Sequence, residues 1–568
     1  MNRRGTWWLF GATALLLTAL FVVPLGMVIR GGFLDQGRPT LRYLAGVFRN
    51  PVYAEGLLNS LGIAAGTTLA VTLLAVPLAW LSQRYDFPGR RWLGAMVLVP
   101  MILPPFVGAI GLQRMLGPYG ALNALLGLGP KDWLAGGRYA GVVALQALGL
   151  YPILYLNVSA ALANIDPAME EAAENLGCTG LRRFFRITWP LMMPGYFAGA
   201  AIVFIWSFTE LGTPLMMNYT QCAPVQVFGA LKEIGSNPFP FALVFVMLSA
   251  SLLLYGGVKL AFGRRAHAMA GKASIAAAAA PLRGPGGALA AAAFAAVTAL
   301  ALLPHAGVVL TSLAAPGSWY RTALPEVVTA ANYVEALGHE MTVSGIRNSL
   351  LYSSLAVAAN VALGLAIAWV TTRTDLPGRG ALDALAMLPL AVPGLVMAFG
   401  YLALSSHVGN QAWVKESPFW QGLLDIRTNP TLFLVIAYGV RRLPYMVRSA
   451  AAGLQQTSVT FEEAAANLGA PPLTALRRIT LPLISANLVA GALLAFAFSM
   501  LEVSDSLMLA QRMDFYPITK TIYELYQLIG TGPYIASALG VWAMAFLAVA
   551  IAGSSLLLGR RMGALFRI

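Results

Sequence analysis

Charged side chains are scarce in this sequence of 568 residues, of which only 11% are Asp, Glu, Lys or Arg. An average soluble domain has roughly 25%. Hydrophobic residues make up 58% of the chain. Stretches of about 20 apolar residues, each long enough to cross a hydrocarbon core of about 30 Å, recur along its whole length. The composition therefore excludes an ordinary soluble domain and predicts an all-α polytopic membrane protein.

Residues for several kinds of chemistry are also missing. The only cysteines, Cys178 and Cys222, give neither a disulfide framework nor paired metal-ligand spacing. The four histidines are scattered without the spacing of metal ligands. No glycine-rich phosphate loop of the form G-x-x-x-x-G-K-[ST] occurs, so we do not expect the chain to hydrolyse ATP itself. We expect no catalytic residue, no metal and no cofactor.

Twelve apolar runs are predicted to be transmembrane helices. The first follows "MNRRG" and is too long for a signal peptide, so it is predicted to be a retained anchor. The predicted spans are 6–29, 57–81, 93–113, 139–162, 190–217, 240–262, 288–313, 348–370, 382–406, 430–454, 482–509 and 534–558.

Basic residues give the chain a net charge of +14. In a soluble protein this would suggest nucleic acid as a partner. Here the lysines and arginines concentrate next to span ends on one side, as the positive-inside rule describes. We therefore expect a lipid bilayer and no nucleic acid as partner, with both termini in the cytoplasm.

An internal repeat divides the chain. "NSL" at 59–61 recurs at 348–350, and "QRYDFPGR" at 83–90 recurs as "TRTDLPGR" at 372–379, at one constant offset. Each half has six spans, and six is an even number, so the halves share one orientation and form a parallel repeat.

The predicted boundaries follow from this repeat. Residues 1–262 form the first six-span half and residues 288–568 the second. Between them, 263–287 is rich in Ala, Gly and Pro and is predicted to be a cytoplasmic linker.

A polar stretch also occurs twice, as "MEEAAENLGCTGLRRFFRITWPLMMPG" at 169–195 and "FEEAAANLGAPPLTALRRITLPLISAN" at 461–487. Asp166 and Pro167 predict the start of a short helix, and Gly177 its end. Its small side chains suit a groove of another protein, whereas a helix resting on lipid headgroups is the alternative. The predicted docking residues are Glu171, Ala172, Ala173, Gly177, Glu463, Ala464, Ala465 and Gly469.

These two stretches resemble the EAA loop of ABC importer permeases, in "EEAAENLG" with "RITWPL" and "EEAAANLG" with "RITLPL". The resemblance implies a type I importer of the bacterial inner membrane. It also implies that each loop forms a coupling helix docked in an ATPase subunit, two per chain, and that an extracytoplasmic substrate-binding protein delivers the cargo. The fused layout is most similar to ferric iron permeases, with thiamine and aminoethylphosphonate permeases as relatives.

Charges inside predicted spans are costly and are functional by default. Glu210 and Glu502 are predicted near the outer ends of the fifth and eleventh spans, with Asp505 one turn beyond. Arg441 and Arg442 are predicted near mid-membrane, where the first half has no charged counterpart. We predict a substrate path through these residues, while structural ion pairs between helices are the alternative.

Two other functions are compatible with twelve spans. A secondary transporter of the major facilitator type also repeats six plus six in parallel, but it has no ATPase to receive the repeated loops. A non-transporting membrane scaffold would need no charges facing a path.

Overall fold

The computed structural model describes residues 3–35, 37–102, 104–134, 138–233, 237–270 and 279–558. Helices dominate both halves, as apolar runs without strand periodicity predict. In the first half the helices are α1 Arg3–Leu17, α2 Val23–Phe33, α3 Arg42–Arg49, α4 Pro51–Arg84, α5 Arg90–Met96, α6 Pro105–Leu116, α7 Ala121–Leu125, α8 Tyr139–Ala163, α9 Pro167–Asn175, α10 Gly180–Arg183, α11 Trp189–Thr209, α12 Gly212–Met216, α13 Ala223–Gly229 and α14 Phe239–Ala270.

The second half repeats this order. Its helices are α15 Gly284–Leu313, α16 Ala331–Gly338, α17 Glu340–Arg373, α18 Arg379–Met387, α19 Gly394–Gly409, α20 Ala412–Lys415, α21 Pro418–Leu424, α22 Thr431–Gln456, α23 Thr460–Asn467, α24 Pro472–Ala475, α25 Leu481–Met500, α26 Ser504–Leu509, α27 Ile518–Tyr526 and α28 Gly532–Leu558. Short π-helical segments are Thr18–Val22, Phe184–Thr188 and Leu476–Thr480, and 3-10 turns are Val99–Ile102, Ala230–Glu233, Leu388–Leu390 and Met513–Phe515.

Strand structure is confined to two short pairs within the described residues. β1 Leu34–Asp35 pairs antiparallel with β2 Arg38–Pro39. β3 Tyr85–Asp86 pairs parallel with β4 Ala280–Pro281. The second pair joins the predicted linker to the loop after α4.

Nine helical segments of the described chain are long and apolar enough to cross a membrane, and two sharply bent helix pairs raise the number to eleven. The remaining predicted span, 430–454, corresponds to α22, which has 26 residues but carries arginines at 441, 442 and 448. The prediction of an all-α polytopic fold built from two six-helix repeats is confirmed.

Two predicted spans, 93–113 and 382–406, are wrong as continuous helices. In the second half the chain bends by 102° between the segment ending at Leu390 and the one starting at Gly394, and the first half has a matching break. Pro389 and Pro393 stand at the second-half break. Proline removes a backbone donor and clashes with the preceding turn, so a straight helix cannot pass through these positions.

The first span of each half packs against the other half. α2 contacts α14 of its own half and α19 of the second half, while α15 contacts α28 of its own half and α6 of the first. The Tyr401 hydroxyl donates a hydrogen bond to the Leu20 carbonyl at 2.8 Å across this contact. One hydrophobic core therefore includes residues of both halves.

Glycines allow the first span of each half to pack against the other half, an arrangement that we call the exchange of first spans. A Cβ atom at Gly400 would lie 2.8 Å from the Pro24 carbonyl oxygen, and one at Gly111 would overlap the Pro304 carbonyl oxygen. Such distances are closer than side chains tolerate, so only glycine lets these backbones approach. Both halves use the same device at the same step of the repeat.

The predicted linker, 263–287, is partly helical in the structure. α14 continues to Ala270 and α15 begins at Gly284, while residues 271–278 lie outside the described residues. The Leu282 amide donates to the Asp86 carbonyl at 2.8 Å, which holds the end of the linker beside the first half. The boundaries of the two halves, 1–262 and 288–568, stay predictions.

Candidate functional sites: the repeated loops and the buried charges

The first repeated loop opens with the short helix α9, which begins and ends as the sequence predicts. The Asp166 carboxylate accepts a hydrogen bond from the Ala168 amide at 3.0 Å and caps the first turn. Gly177 has a φ of +78°, and the Cys178 amide donates to the Ala173 carbonyl at 2.9 Å. This glycine C-cap satisfies carbonyls that the helix end would otherwise leave unpaired.

The second loop, with helix α23, ends in the same way. Gly469 has a φ of +79°, and the Ala470 amide donates to the Ala465 carbonyl at 2.9 Å. Its start differs, because Val459 stands at the cap position and supplies no side-chain acceptor. The loops are thus equal at their C-terminal ends and unequal at their starts.

The predicted docking residues lie on two faces of these helices. Ala173 and Ala465 are only 7% and 6% exposed and pack against the permease itself. They hold each short helix close to the body of the protein. The exposed members of the predicted set are Glu171, Ala172, Gly177, Glu463, Ala464 and Gly469.

An exposed apolar patch on each loop was not among the predicted docking residues. Leu176 and Leu468 occupy equivalent positions and are 87% and 88% exposed. The internal repeat could have revealed them, since large apolar residues recur at matching positions of two polar stretches. The exposed apolar residues at matching positions are Met169, Leu176 and Leu181 on the first loop and Phe461, Leu468 and Leu473 on the second.

A buried ion pair fastens the first short helix to the C-terminal end of α4. The Arg84 guanidinium donates to the Glu170 carboxylate at 2.9 Å, and the Thr188 hydroxyl donates to the same oxygen at 2.6 Å. Both charged side chains are at most 10% exposed. Glu170 therefore makes the internal contact, while Glu171, which is predicted to dock on the partner, is exposed.

The second half repeats this arrangement at the C-terminal end of α17. The Arg373 guanidinium donates to the Glu462 carboxylate at 3.4 Å, and the Thr480 hydroxyl donates to the same oxygen at 3.1 Å. Arg373 also donates to the Thr457 carbonyl at 2.8 Å. We name each Arg–Glu–Thr set an inner clasp.

The predicted path residues of the second half meet in one buried cluster. Arg441 and Arg442 both form ion pairs with Glu502, and Arg441 lies 3.3 Å from Asp505. Glu502 and Asp505 are 4% and 0% exposed. Arg442 also donates to the Phe498 carbonyl at 3.0 Å. The ion pairs considered as the alternative are thus present, and the substrate path stays a prediction.

Glu502 was predicted near the outer end of its span, and Arg441 and Arg442 near mid-membrane. This difference in depth is wrong, because both arginines form ion pairs with Glu502 and therefore lie at the same depth. The sequence argument took the end of the eleventh span as the outer surface. In the structure α25 ends at Met500, and the fully buried helix α26 follows it. The end of α25 therefore lies inside the protein rather than at its outer mouth.

Glu210 is the counterpart of Glu502 in the first half, but its surroundings differ. It follows the last residue of α11 and accepts a hydrogen bond from the Thr213 amide at 3.3 Å. Among the described residues no Lys, Arg or His nitrogen lies within 4.0 Å of its carboxylate. Gly149 and Leu150 stand where the second half has Arg441 and Arg442.

A cavity of about 190 Å³ joins these residues across the two halves. Glu210 lines it from the first half, and Arg441, Arg442 and Glu502 line it from the second. Prolines of both broken spans, together with Trp206, Tyr445 and Phe498, complete the wall. The cavity and its nearest charges, including Asp505, contain three carboxylates against two guanidinium groups.

Two parallel six-helix repeats, two short helices with exposed faces and a charged cavity between the halves define a membrane permease. The family model for the inner membrane component of binding-protein-dependent transport systems matches residues 51–267 and 360–562. The chain belongs to this family of ABC permeases. It is a multi-pass protein of the inner membrane, and the family does not favour the secondary-transporter alternative.

Similar proteins include both fused and single-half permeases. The chain is 25% identical over 82% of its length to a putative ferric transport system permease of Haemophilus influenzae and covers 70% of that protein. A second ferric permease of the same organism is 23% identical, with 92% of this chain and 93% of the relative covered. A probable molybdenum ABC transporter permease of Haloferax volcanii is 32% identical over 36% of this chain, and 75% of that relative is covered.

Proposed function

We propose that this permease imports ferric iron, with energy supplied by two ATPase subunits, one docked on each repeated loop. The exposed apolar patches carry the ATPase part of the proposal. Six large apolar side chains on two short polar loops have no role in the permease's own core, and exposed apolar groups that recur in this way mark a protein interface. The halves 1–262 and 288–568 then act as two permease subunits joined in one chain.

The orientation follows from the same assignment. Docking of cytoplasmic ATPases places both loops and both chain termini in the cytoplasm, which agrees with the concentration of basic residues next to inner span ends. The opposite face, which carries α13 and α27, then receives the substrate-binding protein. ATP hydrolysis is assigned to the partner subunits.

Two observations support ferric iron as cargo. Two relatives that cover most of both halves are named as ferric transport permeases. Glu210 lines the cavity and has no Lys, Arg or His nitrogen within 4.0 Å among the described residues, and a carboxylate without a cationic partner attracts a cationic cargo and repels an oxyanion such as molybdate. Glu210 is the carboxylate without a cationic partner among the described residues.

The test is transport by a reconstituted complex. We expect the chain to co-purify with an ATPase, and vesicles containing both to accumulate radioactive iron(III) when ATP and the cognate binding protein are supplied. Molybdate, thiamine and aminoethylphosphonate serve as competing cargoes. ATP-driven uptake of one of these compounds without iron would overturn the cargo assignment, and purification without any ATPase would overturn the docking assignment.

A further inference from the structure

The two longest helices, α4 and α17, connect the inner clasps to the opposite face of the protein. Each has 34 residues, which corresponds to about 51 Å at 1.5 Å per residue. Their inner ends carry Arg84 and Arg373 of the clasps. The repeated "NSL" motif lies near their opposite ends. From the sequence alone, this motif has no structural role beyond marking the repeat.

The "NSL" motif binds the outer segments in both halves. In the first half the side-chain amide of Asn59 donates to the Gln221 carbonyl at 2.8 Å, and the Ser60 hydroxyl accepts from the backbone amide of Ala223 at 2.9 Å. Ala223 is the first residue of α13. The serine therefore satisfies one of the amides that a helix start leaves unpaired.

The second half makes the same contacts with α27. The side-chain amide of Asn348 donates to the Asp514 carbonyl at 2.8 Å. The Ser349 hydroxyl accepts from the backbone amide of Ile518, the first residue of α27, at 2.7 Å. Both serines are at most 2% exposed. A repeated contact of this kind, with its serine buried, fixes the outer segment to its long helix.

Only the second half continues the connection to the charge cluster. The Thr519 hydroxyl donates to the Glu502 carbonyl at 2.6 Å, and the Glu502 carboxylate pairs with both arginines. Thr519 is the second residue of α27, whereas the second residue of α13 is Pro224, which has no hydroxyl. The equivalent connection in the first half therefore ends at the outer segment.

We propose that α17 is the connector between the second coupling loop and the cavity, and that Arg373, Ser349 and Thr519 are its positioning residues. The inference rests on the proposed function, since it assumes that an ATPase moves the loop. A displacement of the loop moves the inner clasp, the clasp moves α17 along its length, and Ser349 and Thr519 shift the backbone of Glu502. α4 makes the same two end contacts, but within the described residues no hydrogen bond joins α13 to Glu502 as Thr519 of α27 does.

The experiment compares matched variants of the two halves in the reconstituted complex. Ser349→Ala and Thr519→Val remove links of the α17 connection, while Ser60→Ala removes the equivalent hydrogen bond of α4. The measured quantities are cargo transported per ATP hydrolysed, the hydrolysis rate and the melting temperature. We expect Ser349→Ala and Thr519→Val each to lower transport per ATP by roughly fivefold, within the range found for residues that carry coupling between sites.

Ser60→Ala is expected to keep transport per ATP close to the wild-type value, and Ser349→Thr, which retains a hydroxyl, should restore coupling. Hydrolysis should continue in all variants because the docking patches are unchanged. Equal transport per ATP in Ser349→Ala, Thr519→Val and wild type would overturn the inference. So would an equal loss in Ser60→Ala, which would assign both effects to packing. If the wild-type complex does not link hydrolysis to uptake, the proposed function itself fails, and the inference falls with it.

Discussion

Glu502 and Glu210 are equivalent in the repeat but unequal in their bonds. Glu502 is buried and holds two arginines, while Glu210 accepts hydrogen bonds from Thr213. Removal of one partner of a buried ion pair leaves an uncompensated charge, at a cost of roughly 3 to 5 kcal/mol. We therefore expect a change at Glu502 to affect mainly stability and a change at Glu210 to affect mainly transport.

Neutralisation of each carboxylate tests this separation. We expect Glu502→Gln to lower the melting temperature strongly, because Arg441 and Arg442 would face an uncharged amide. Glu210→Gln should leave the melting temperature nearly unchanged and lower iron uptake, because the cavity loses its carboxylate without a cationic partner. Thermal melting and uptake are measured on the same vesicles. Normal uptake by Glu210→Gln at full stability would remove this residue from the path.

The two cysteines offer a test of orientation. Cys178 is partly exposed beside the first loop, whereas Cys222 is 1% exposed at the start of α13. Burial raises the pKa of the Cys222 thiol to about 12, so almost none of it is the reactive thiolate at pH 7. Its side chain is expected to stay inert in the folded protein.

We expect a membrane-impermeant maleimide to label Cys178 in inside-out vesicles but not in right-side-out vesicles, and Cys222 in neither. Cys178→Ser is the control that should abolish labelling. Labelling of Cys178 in right-side-out vesicles would place the repeated loops and the termini on the opposite side from the one proposed.

At the scale of the element, the repeated loops show which features a sequence predicts and which depend on tertiary packing. The cap at Asp166 and the terminating glycines are local features, set by residues a few positions apart, and the sequence predicted them. The inner clasps were not predicted. Arg84 and Glu170 are 86 residues apart in sequence, and only tertiary packing shows that Glu170 faces inward and Glu171 outward.

The patches on the loops predict an effect on assembly. We expect Leu176→Asp or Leu468→Asp to weaken ATPase binding by about 30-fold, which corresponds to the roughly 2 kcal/mol of an interface hot spot. Leu125→Asp, at another exposed leucine remote from the loops, is the matched control. Binding is measured by titration of the purified ATPase onto the permease in detergent. Equal affinities of the three variants would show that the patches are not the docking surface.

At the scale of the whole molecule, the exchange of first spans is the feature that sequence reasoning did not foresee. The number of spans follows from local hydrophobicity and the repeat from recurring motifs, and the sequence displays both directly. The pairing of α2 with α19 and of α15 with α6 depends on contacts between distant segments. The glycines at 111 and 400, which permit the close approach, are two among 57 and carry no local signal.

This exchange predicts how the halves behave when separated. A half expressed alone lacks the first span of its partner, so α6 or α19 would leave apolar surface and close backbone contacts without their packing neighbour. We therefore expect residues 1–270 or 279–568 alone to aggregate or be degraded, and both halves expressed together to assemble into a stable complex. Gly400→Leu should weaken that assembly, since the Pro24 carbonyl leaves no room for a side chain, and overpacking costs typically 1 to 3 kcal/mol. Gly422→Leu, where no atom lies within 4 Å of an added Cβ, is the control. Recovery of either half alone as a monodisperse, cooperatively melting protein would show that each half folds without the exchanged helix.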